Sequence, residues 1–375
     1  MKIGILGGGQ LAAMMAQAGA PLGMDFVFLD PAADACAGHH GQLLVDDWAS
    51  APERTELAAC DRLTCDFENV SAEVLEALAE RQTVRPAPSA FAAAQDRLTE
   101  KQLFEELEIP LAPFAAVDSR PELLAALERI GYPAVLKTRR FGYDGKGQAV
   151  LRGPEDLEPA WAALGGNSLV LEGWVPFEHE CALTAVRSAS GEVRFYPPSW
   201  TLHADGILRV TLAPGRLPEP TVTEAQARLK RLLDHLDYVG CLTLELFAAD
   251  SGLLANEFAP RVHNSAHWTI EGAETSQFEN HLRAVADLPL GSTAARGESI
   301  MLNWIGALPS IERLLEVPGL SWHDYRKQAR PGRKVGHATI VAADRDQLIE
   351  RVETVKSRLD RQWAPWLDRA LGALG

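Results

Sequence analysis

The stretch CLTLELFAADSGLLANEFAP, residues 241–260, decides how the chain is read. Apolar and outward-facing positions alternate in CLTLELF, and LLANEFAP follows after a turn around Asp250, Ser251 and Gly252, which predicts a β-hairpin. Such a hairpin brings Glu245 and Glu257 together, with Asn256 beside the second acid. Hard cations such as magnesium take one or two protein carboxylates and leave their other positions to water and substrate phosphates, so the pair fits a Mg²⁺ clamp. Two acids in an arbitrary hairpin are more often solvent-facing strand residues. Here the next stretch, FAPRVHNSAHWT, favours function: Arg261, His263, Asn264 and His267 crowd behind the acids, and Pro260 breaks the strand.

Upstream lie elements suited to a nucleotide. Lys137 ends the apolar strand YPAVLK, and the loop GYDGKGQ, residues 142–148, supplies Gly142, Gly145 and Gly147 with unpaired N–H groups to cover phosphates. A plain Asp-Gly turn accounts for Asp144 and Gly145. It leaves Tyr143 and Lys146 unexplained, as well as Arg139 and Arg140 just before the loop. In LVLEGWVPFEHE, Glu172 closes a strand and Glu180 follows eight residues on, a place where backbone groups, an apolar cover and an acid can hold an adenosine. A linker whose Trp174 merely packs reads equally well from this segment alone.

The N-terminal GILGGGQLAAMMAQAG, with Asp30 closing the next strand, has the look of a dinucleotide fingerprint, but Ala12 stands where its third glycine belongs. A turn holding another phosphate or polar substrate, with Gln10 reaching it, competes with bound NAD.

With 375 residues the chain has room for two or three domains. A net charge of −15 argues against nucleic acid, so an anionic substrate must meet local basic clusters: Lys137 with Arg139 and Arg140, or Arg330 with Arg333 and Lys334. Five scattered cysteines without CxxC spacing indicate neither a disulfide framework nor a zinc site. The chain opens on a strand, and no apolar run is long enough to span a bilayer, so no membrane association and a cytoplasmic location are expected.

Strands and helices alternate through KIGIL, a helix from about Gln10 to Ala20, DFVFLD, DRLTCDFEN and a helix through Val74 to Leu78, a parallel doubly wound pattern. RPAPSA marks a boundary, followed by a helix from about Asp96 to Leu107. From Ala112 to about Trp174 the pattern is strand, helix, strand, glycine loop, strand, helix, strand. Strands are then expected to dominate to about Pro289, and the tail holds LNWIG, RPGRKVGHATIVA and a helix from about Asp346 to Leu359.

Taken together, Lys137, the glycine loop, Glu172 to Glu180 and the Glu245/Asn256/Glu257 set resemble the ATP-grasp ligases in order and spacing. Within them the whole chain is similar to the N5-carboxyaminoimidazole ribonucleotide synthetases of purine biosynthesis. GGGQL, DFENV, DRLTEKQLF, GYDGKGQ, LHADGI, NEFAPRVHNSAHWT, SQFENHLRA and RPGRKVGH carry that resemblance, FAPRVHNSAHW and RPGRKVGH most specifically. The chain departs from the family pattern at Ala12 and Ala13, where GGGQLGRM is usual, and at Ala266, where HNSGHW is usual; no charged group is lost.

The resemblance implies an α/β (α+β) ATP-grasp fold. A Rossmann-like pre-ATP-grasp domain would span 1–95, an ATP-grasp domain 96–298 with a small lid at about 112–174, and a small β-rich C-terminal domain 299–375. It implies that ATP is held by Arg97, Lys137, Gly142, Tyr143, Asp144, Gly145, Lys146, Gly147, Gln148, Glu172, Gly173, Trp174, Val175, Glu180, His203, Asn256 and Glu257. Mg²⁺, with Mn²⁺ as a substitute, would sit on Glu245 and Glu257. Bicarbonate would meet Arg261, His263 and Lys334, and the aminoimidazole ribonucleotide would meet Gln10, Glu68, Asp144, Lys327, Arg330 and Arg333. Tyr143 would orient the reacting carboxyl group, Asp144 would accept the amine's proton, and a homodimer is implied.

The implied reaction is attack of bicarbonate on the γ-phosphorus of ATP, then capture of the carboxyl group by the exocyclic amine of 5-aminoimidazole ribonucleotide, with release of ADP and phosphate. Three rivals remain at this point. One is another carboxylate–amine ligase on the same scaffold, one an NAD-dependent oxidoreductase, and one a catalytically silent ATP-binding protein.

Overall fold

The computed structural model describes residues 1–142 and 146–375; Tyr143, Asp144 and Gly145, expected in the ATP loop, lie outside the described residues. Strands β1 (Lys2–Leu6), β2 (Asp25–Asp30), β3 (Gln42–Val45) and β4 (Arg62–Cys65) form a parallel sheet in the order β3-β2-β1-β4. Apolar runs such as KIGIL and DFVFLD suit strands covered on both faces. The helix Gln10–Gly19 turns one buried face, including Leu11, Met14 and Met15, onto the same core as Ile3, Ile5, Phe26 and Phe28. That core also takes in Phe278 and Leu282 of the helix Gln277–Val285, which fastens the N-terminal sheet to the rest of the molecule.

A second sheet of four antiparallel strands has the order β5-β8-β6-β7, from β5 (Phe114–Val117), β6 (Ala134–Thr138), β7 (Gln148–Leu151) and β8 (Leu169–Gly173). The helices Arg120–Ile130 and Leu157–Leu164 cover it, burying Leu123, Leu127 and Leu157 against Leu136, Leu169 and Leu171. The first of these starts where Ser119 accepts from the Glu122 N–H and Pro121 sits in the opening turn.

The third sheet has nine strands: β9 (His179–Arg187), β10 (Val193–Phe195), β11 (Ser199–Ala204), β12 (Ile207–Ala213), β13 (Gly240–Ala249), β14 (Gly252–Ala259), β15 (Glu298–Ile305), β16 (Leu320–Asp324) and β17 (Lys334–Ala342). Eight of them follow the order β14-β13-β9-β11-β12-β15-β17-β16, and β10 pairs with β9. The strands of the C-terminal part thus continue the sheet that carries the acid hairpin. The helix Arg345–Arg358 packs on β15 and β17, and the helix Ala364–Leu374 packs on β12 beside it.

One long element was hidden in the sequence. The helix Glu219–His235 lies in the region expected to be mostly strand. PEP reads as a turn, yet proline is at home in the first turn of a helix, and here it opens one. Ala225, Leu229, Leu232 and Leu233 then recur at helical spacing and are buried against Leu183, Leu242 and Leu244 of the large sheet. Among the described residues no helix is long and apolar enough to cross a membrane.

Candidate active site

β13 and β14 form the expected hairpin, and Glu245 and Glu257 are direct partners in its ladder, at a register shift that follows Glu245. Directly opposed residues project from the same face, so both carboxyls enter one space. Glu257 is held by Arg97, whose Nη1 donates to Oε2 at 2.7 Å, and Glu245 Oε1 stands 3.5 Å from His263 Nε2. Burial alone would raise the Glu257 pKa, but Arg97 overrides it and holds the carboxyl down. Glu245 is pushed up by burial and by the Glu257 charge. Asn256 adds a buried Oδ1 without a hydrogen-bond partner. Two carboxylates on one face, with the Asn256 amide next in sequence, are oxygen donors of the kind a hard cation takes. No group of three or more His, Cys, Asp or Glu able to hold a metal occurs among the described residues.

The expected helix, Arg97–Glu106, carries the expected Arg97 and adds Glu100 and Lys101, which sequence reasoning missed. Its start is set by Asp96, which accepts from the Leu98 N–H at 3.0 Å and also from Arg139 at 2.9 and 2.7 Å and Arg140 at 3.3 Å. The basic pair before the glycine loop is therefore partly neutralised by this cap. Lys101, 1% exposed, stands 3.1 Å from Glu172 Oε2, and Lys137 donates to the same oxygen at 2.9 Å. Burial would raise the Glu172 pKa, but Lys137 and Lys101 hold it at about 2. Glu100 accepts from the Phe258 N–H at 2.6 Å, tying the helix to the strand of Glu257. Burial, reinforced by the Glu257 charge, pushes its carboxyl up to about 8. Arg97, Glu100 and Lys101 are spaced i, i+3, i+4, and that charged face in DRLTEKQLF was the available signal.

Further along, His203 Nδ1 lies 3.0 Å from Glu180 Oε2; burial opposes its protonation, but that hydrogen bond prevails and raises the imidazole pKa. Gly173 and Trp174 spend their N–H groups on Pro113 O and Pro133 O, at 2.8 and 3.1 Å. Trp174 is exposed and Val175 is buried.

Arg261, His263 and Lys334 line one cavity with Gln10, Glu68, Arg97 and Glu257. Arg261 is ion-paired with Glu68, and Gln10 accepts from Lys327. His263 Nδ1 is 2.8 Å from Ser265 Oγ, and burial, with Arg261 and Lys334 nearby, drives its pKa well below the ordinary value. Gln277 fixes this turn from both sides, accepting from the His263 N–H at 2.8 Å and donating to His263 O at 2.7 Å. An adjoining cavity of about 730 Å³ is lined by Gln10, Lys146, Lys327, Arg330, Arg333 and Lys334. Residues more than 300 positions apart in sequence thus share one basic chamber.

The N-terminal glycine turn settles differently from its fingerprint. The Gly8 N–H donates to Asp30 Oδ2 at 2.7 Å, and the Gly9 and Ala12 N–H groups donate to Asp66 Oδ2 at 2.9 and 3.2 Å. The donors that would cradle a dinucleotide phosphate are taken by the chain's own carboxylates. Burial lifts the Asp66 pKa to about 6. Gly7, with φ +105°, sits so close to Asp66 that a Cβ would land on its Oδ1.

Three domain families match the chain: the ribonucleotide synthetase preATP-grasp domain over residues 1–95, the ATP-grasp domain over 102–278, and the phosphoribosylaminoimidazole carboxylase C-terminal domain over 299–351. The N5-carboxyaminoimidazole ribonucleotide synthase of Pseudomonas aeruginosa is 51% identical over 361 residues, 96% of this chain and 100% of that one. The protein of the same name from Brucella melitensis is 42% identical, over 90% of this chain and 95% of that one. The crystal structure of N5-carboxyaminoimidazole ribonucleotide synthetase from Thermus thermophilus superposes with a TM-score of 0.91 at 48% identity, covering 96% of this chain and 99% of that one. The synthase from Aspergillus clavatus, in complex with ADP and 5-aminoimidazole ribonucleotide, superposes with a TM-score of 0.85 at 30% identity, over 95% and 98%. From the paired glutamates, the basic chamber and this full-length similarity, the chain belongs to the N5-carboxyaminoimidazole ribonucleotide synthase family.

Proposed function

We propose that this chain uses ATP and bicarbonate to carboxylate the exocyclic amine of 5-aminoimidazole ribonucleotide, releasing ADP and phosphate. The observation that carries the reading is the meeting of Glu257 with Arg261, His263 and Lys334 around one cavity, which sets a phosphoryl-transfer end beside an anion-binding end.

Glu245 and Glu257, with Asn256 Oδ1, would hold Mg²⁺, which when bound neutralises charge on the ATP phosphates. Lys137 is aimed by Glu172 and stays near the phosphate side of the site. Arg97 anchors Glu257 and adds positive charge beside it. The Val175 N–H is the backbone donor left for a base edge once Gly173 and Trp174 have spent theirs, and Glu180, oriented by His203, accepts ribose hydroxyls.

Arg261, steadied by Glu68, and Lys334 bind the oxygens of the one-carbon anion and keep them facing the γ-phosphorus. His263 is held neutral by burial, with Arg261 and Lys334 adding to the effect, so it would meet bicarbonate as an uncharged hydrogen-bond partner rather than as a counter-ion. Arg330 and Arg333 bind the ribonucleotide phosphate, and Gln10 with Lys327 fixes its ring end. Asp144 keeps, from sequence alone, the role of accepting the amine's proton, and Tyr143 that of orienting the carboxyl group.

ADP release measured with bicarbonate and 5-aminoimidazole ribonucleotide, singly and together, tests the proposal. Full turnover should need both; ADP release driven equally well by formate or an amino acid in place of bicarbonate would replace this reading with the related ligase.

A further inference from the structure

β12 touches two different cavities. Ile207 borders the basic chamber, and Arg209 borders a separate cavity of about 210 Å³ whose other walls include Ile305, Leu308, Asp360, Trp363 and Trp366. None of the residues placed in the carboxylation site lines it. Its chemistry is specific. Trp363 and Trp366 give it aromatic walls, and the first of these is braced edge-on by Trp304 with ring centroids 5.1 Å apart. The Arg209 Nε is buried without a hydrogen-bond partner. A second guanidinium, Arg369, stands 5.9 Å from the centre of the Trp366 ring. Asp360 offers an acceptor at the rim.

The Nε is enclosed, so an incoming group meets the outer guanidinium nitrogens of Arg209, and a carboxylate or another oxyanion pairs with those best. Tryptophan faces receive flat rings, and a guanidinium above one of them favours an electron-rich, anionic partner. The volume lies below the range of about 300–1,000 Å³ usual for drug-sized ligands, so a single-ring molecule fits and a whole nucleotide does not.

We propose that this cavity is a second binding site, for a small aromatic acid that carries an N–H or O–H donor. The ring lies against Trp363 and Trp366, the acid group meets Arg209, and the donor meets Asp360. Orotate and hydroxybenzoate are of this class.

Saturation-transfer NMR and calorimetric titration of the full chain test the site, with ADP and 5-aminoimidazole ribonucleotide present at saturation so that the catalytic chamber is occupied. Orotate, 4-hydroxybenzoate and the uncharged 4-hydroxybenzamide serve as probes. The acids should bind at millimolar concentration or below, with the amide weaker by about tenfold or more. Arg209→Gln and Trp366→Ala should each weaken the acids by a similar factor while leaving the ADP release rate unchanged, which also shows that both variants fold. Failure of both acids to bind the wild-type chain overturns the proposal. So does binding that neither variant alters, or binding that ADP and ribonucleotide abolish.

Discussion

Glu245 and Glu257 face each other across one rung of the β13–β14 ladder, yet their carboxyls are driven in opposite directions, Glu257 downward by Arg97 and Glu245 upward by burial beside its charged partner. Like charges this close cannot both be satisfied by one arginine. A divalent cation would relieve what Arg97 leaves over, and the pair suits that use better than a structural ion pair.

If Glu257 holds the metal as proposed, Glu257→Gln lowers bicarbonate-dependent ADP release by at least about 100-fold, since it removes the negative charge that would bind the cation and that pairs with Arg97. Stability should fall as well, by roughly 1–2 kcal/mol, less than for a fully buried pair because the Glu257 side chain is 39% exposed. A steady-state assay beside a urea titration reads both. Normal ATP cleavage in this variant would remove Glu257 from the chemistry.

Lys334→Ala is expected to lose carboxylated product while the fold persists, because the residue starts β17 at the chamber wall and supports no core. Product assay and circular dichroism together check this. Full turnover would make the RPGRKVGH segment structural.

Lys101→Met should lower stability by roughly 3 kcal/mol, because Glu172 then depends on Lys137 alone. With Lys137 drawn further toward Glu172, the KM for ATP should rise several-fold more than the KM for bicarbonate. Equal changes in both constants would show that Lys101 acts on the fold only.

The same cluster sets an acid limit. Glu172 has a folded-state pKa of about 2 against an ordinary 4.5, so its stabilisation is complete above about pH 4.5 and is lost as pH falls through about 2. The full shift corresponds to roughly 3 kcal/mol. Unfolding free energies between pH 5 and 3 should drop less steeply in Glu172→Gln than in the wild type, and parallel slopes would contradict the assignment.

Gly7→Ala should cost roughly 2–3 kcal/mol, since φ is +105° and the added methyl meets Asp66. Wild-type chain should leave NADH fluorescence unchanged at millimolar cofactor, because Asp30 and Asp66 already take the N–H groups of the turn.

The acid hairpin, the parallel N-terminal sheet and the strand and helix order of residues 112–174 were legible because each rests on local periodicity and turn residues. The sequence also pointed to Arg261, His263 and Lys334, and the fold places them round one cavity. The helix Glu219–His235 was obscured because proline signals both a turn and a helix start. Lys101, Glu100 and Asp66 were missed for another reason. A lysine in a helix or an acid after a strand normally faces water, and only the tertiary arrangement shows that these three are almost fully enclosed. The fingerprint at residues 4–9 left its occupant open for the same reason, since that occupant comes from β4's end, nearly sixty residues downstream.

The continuity of the large sheet also bears on how the molecule can move. Glu257 lies on an edge strand and Lys334 begins a strand several places along the same ladder, so altering their separation would mean shearing many backbone hydrogen bonds at once. Lys137 and the glycine-loop flanks belong to the small sheet, which among the described residues shares no ladder with the large one. On the proposed reading, carboxyl handling is built on a fixed floor, and an opening that admits ATP would fall to the roof.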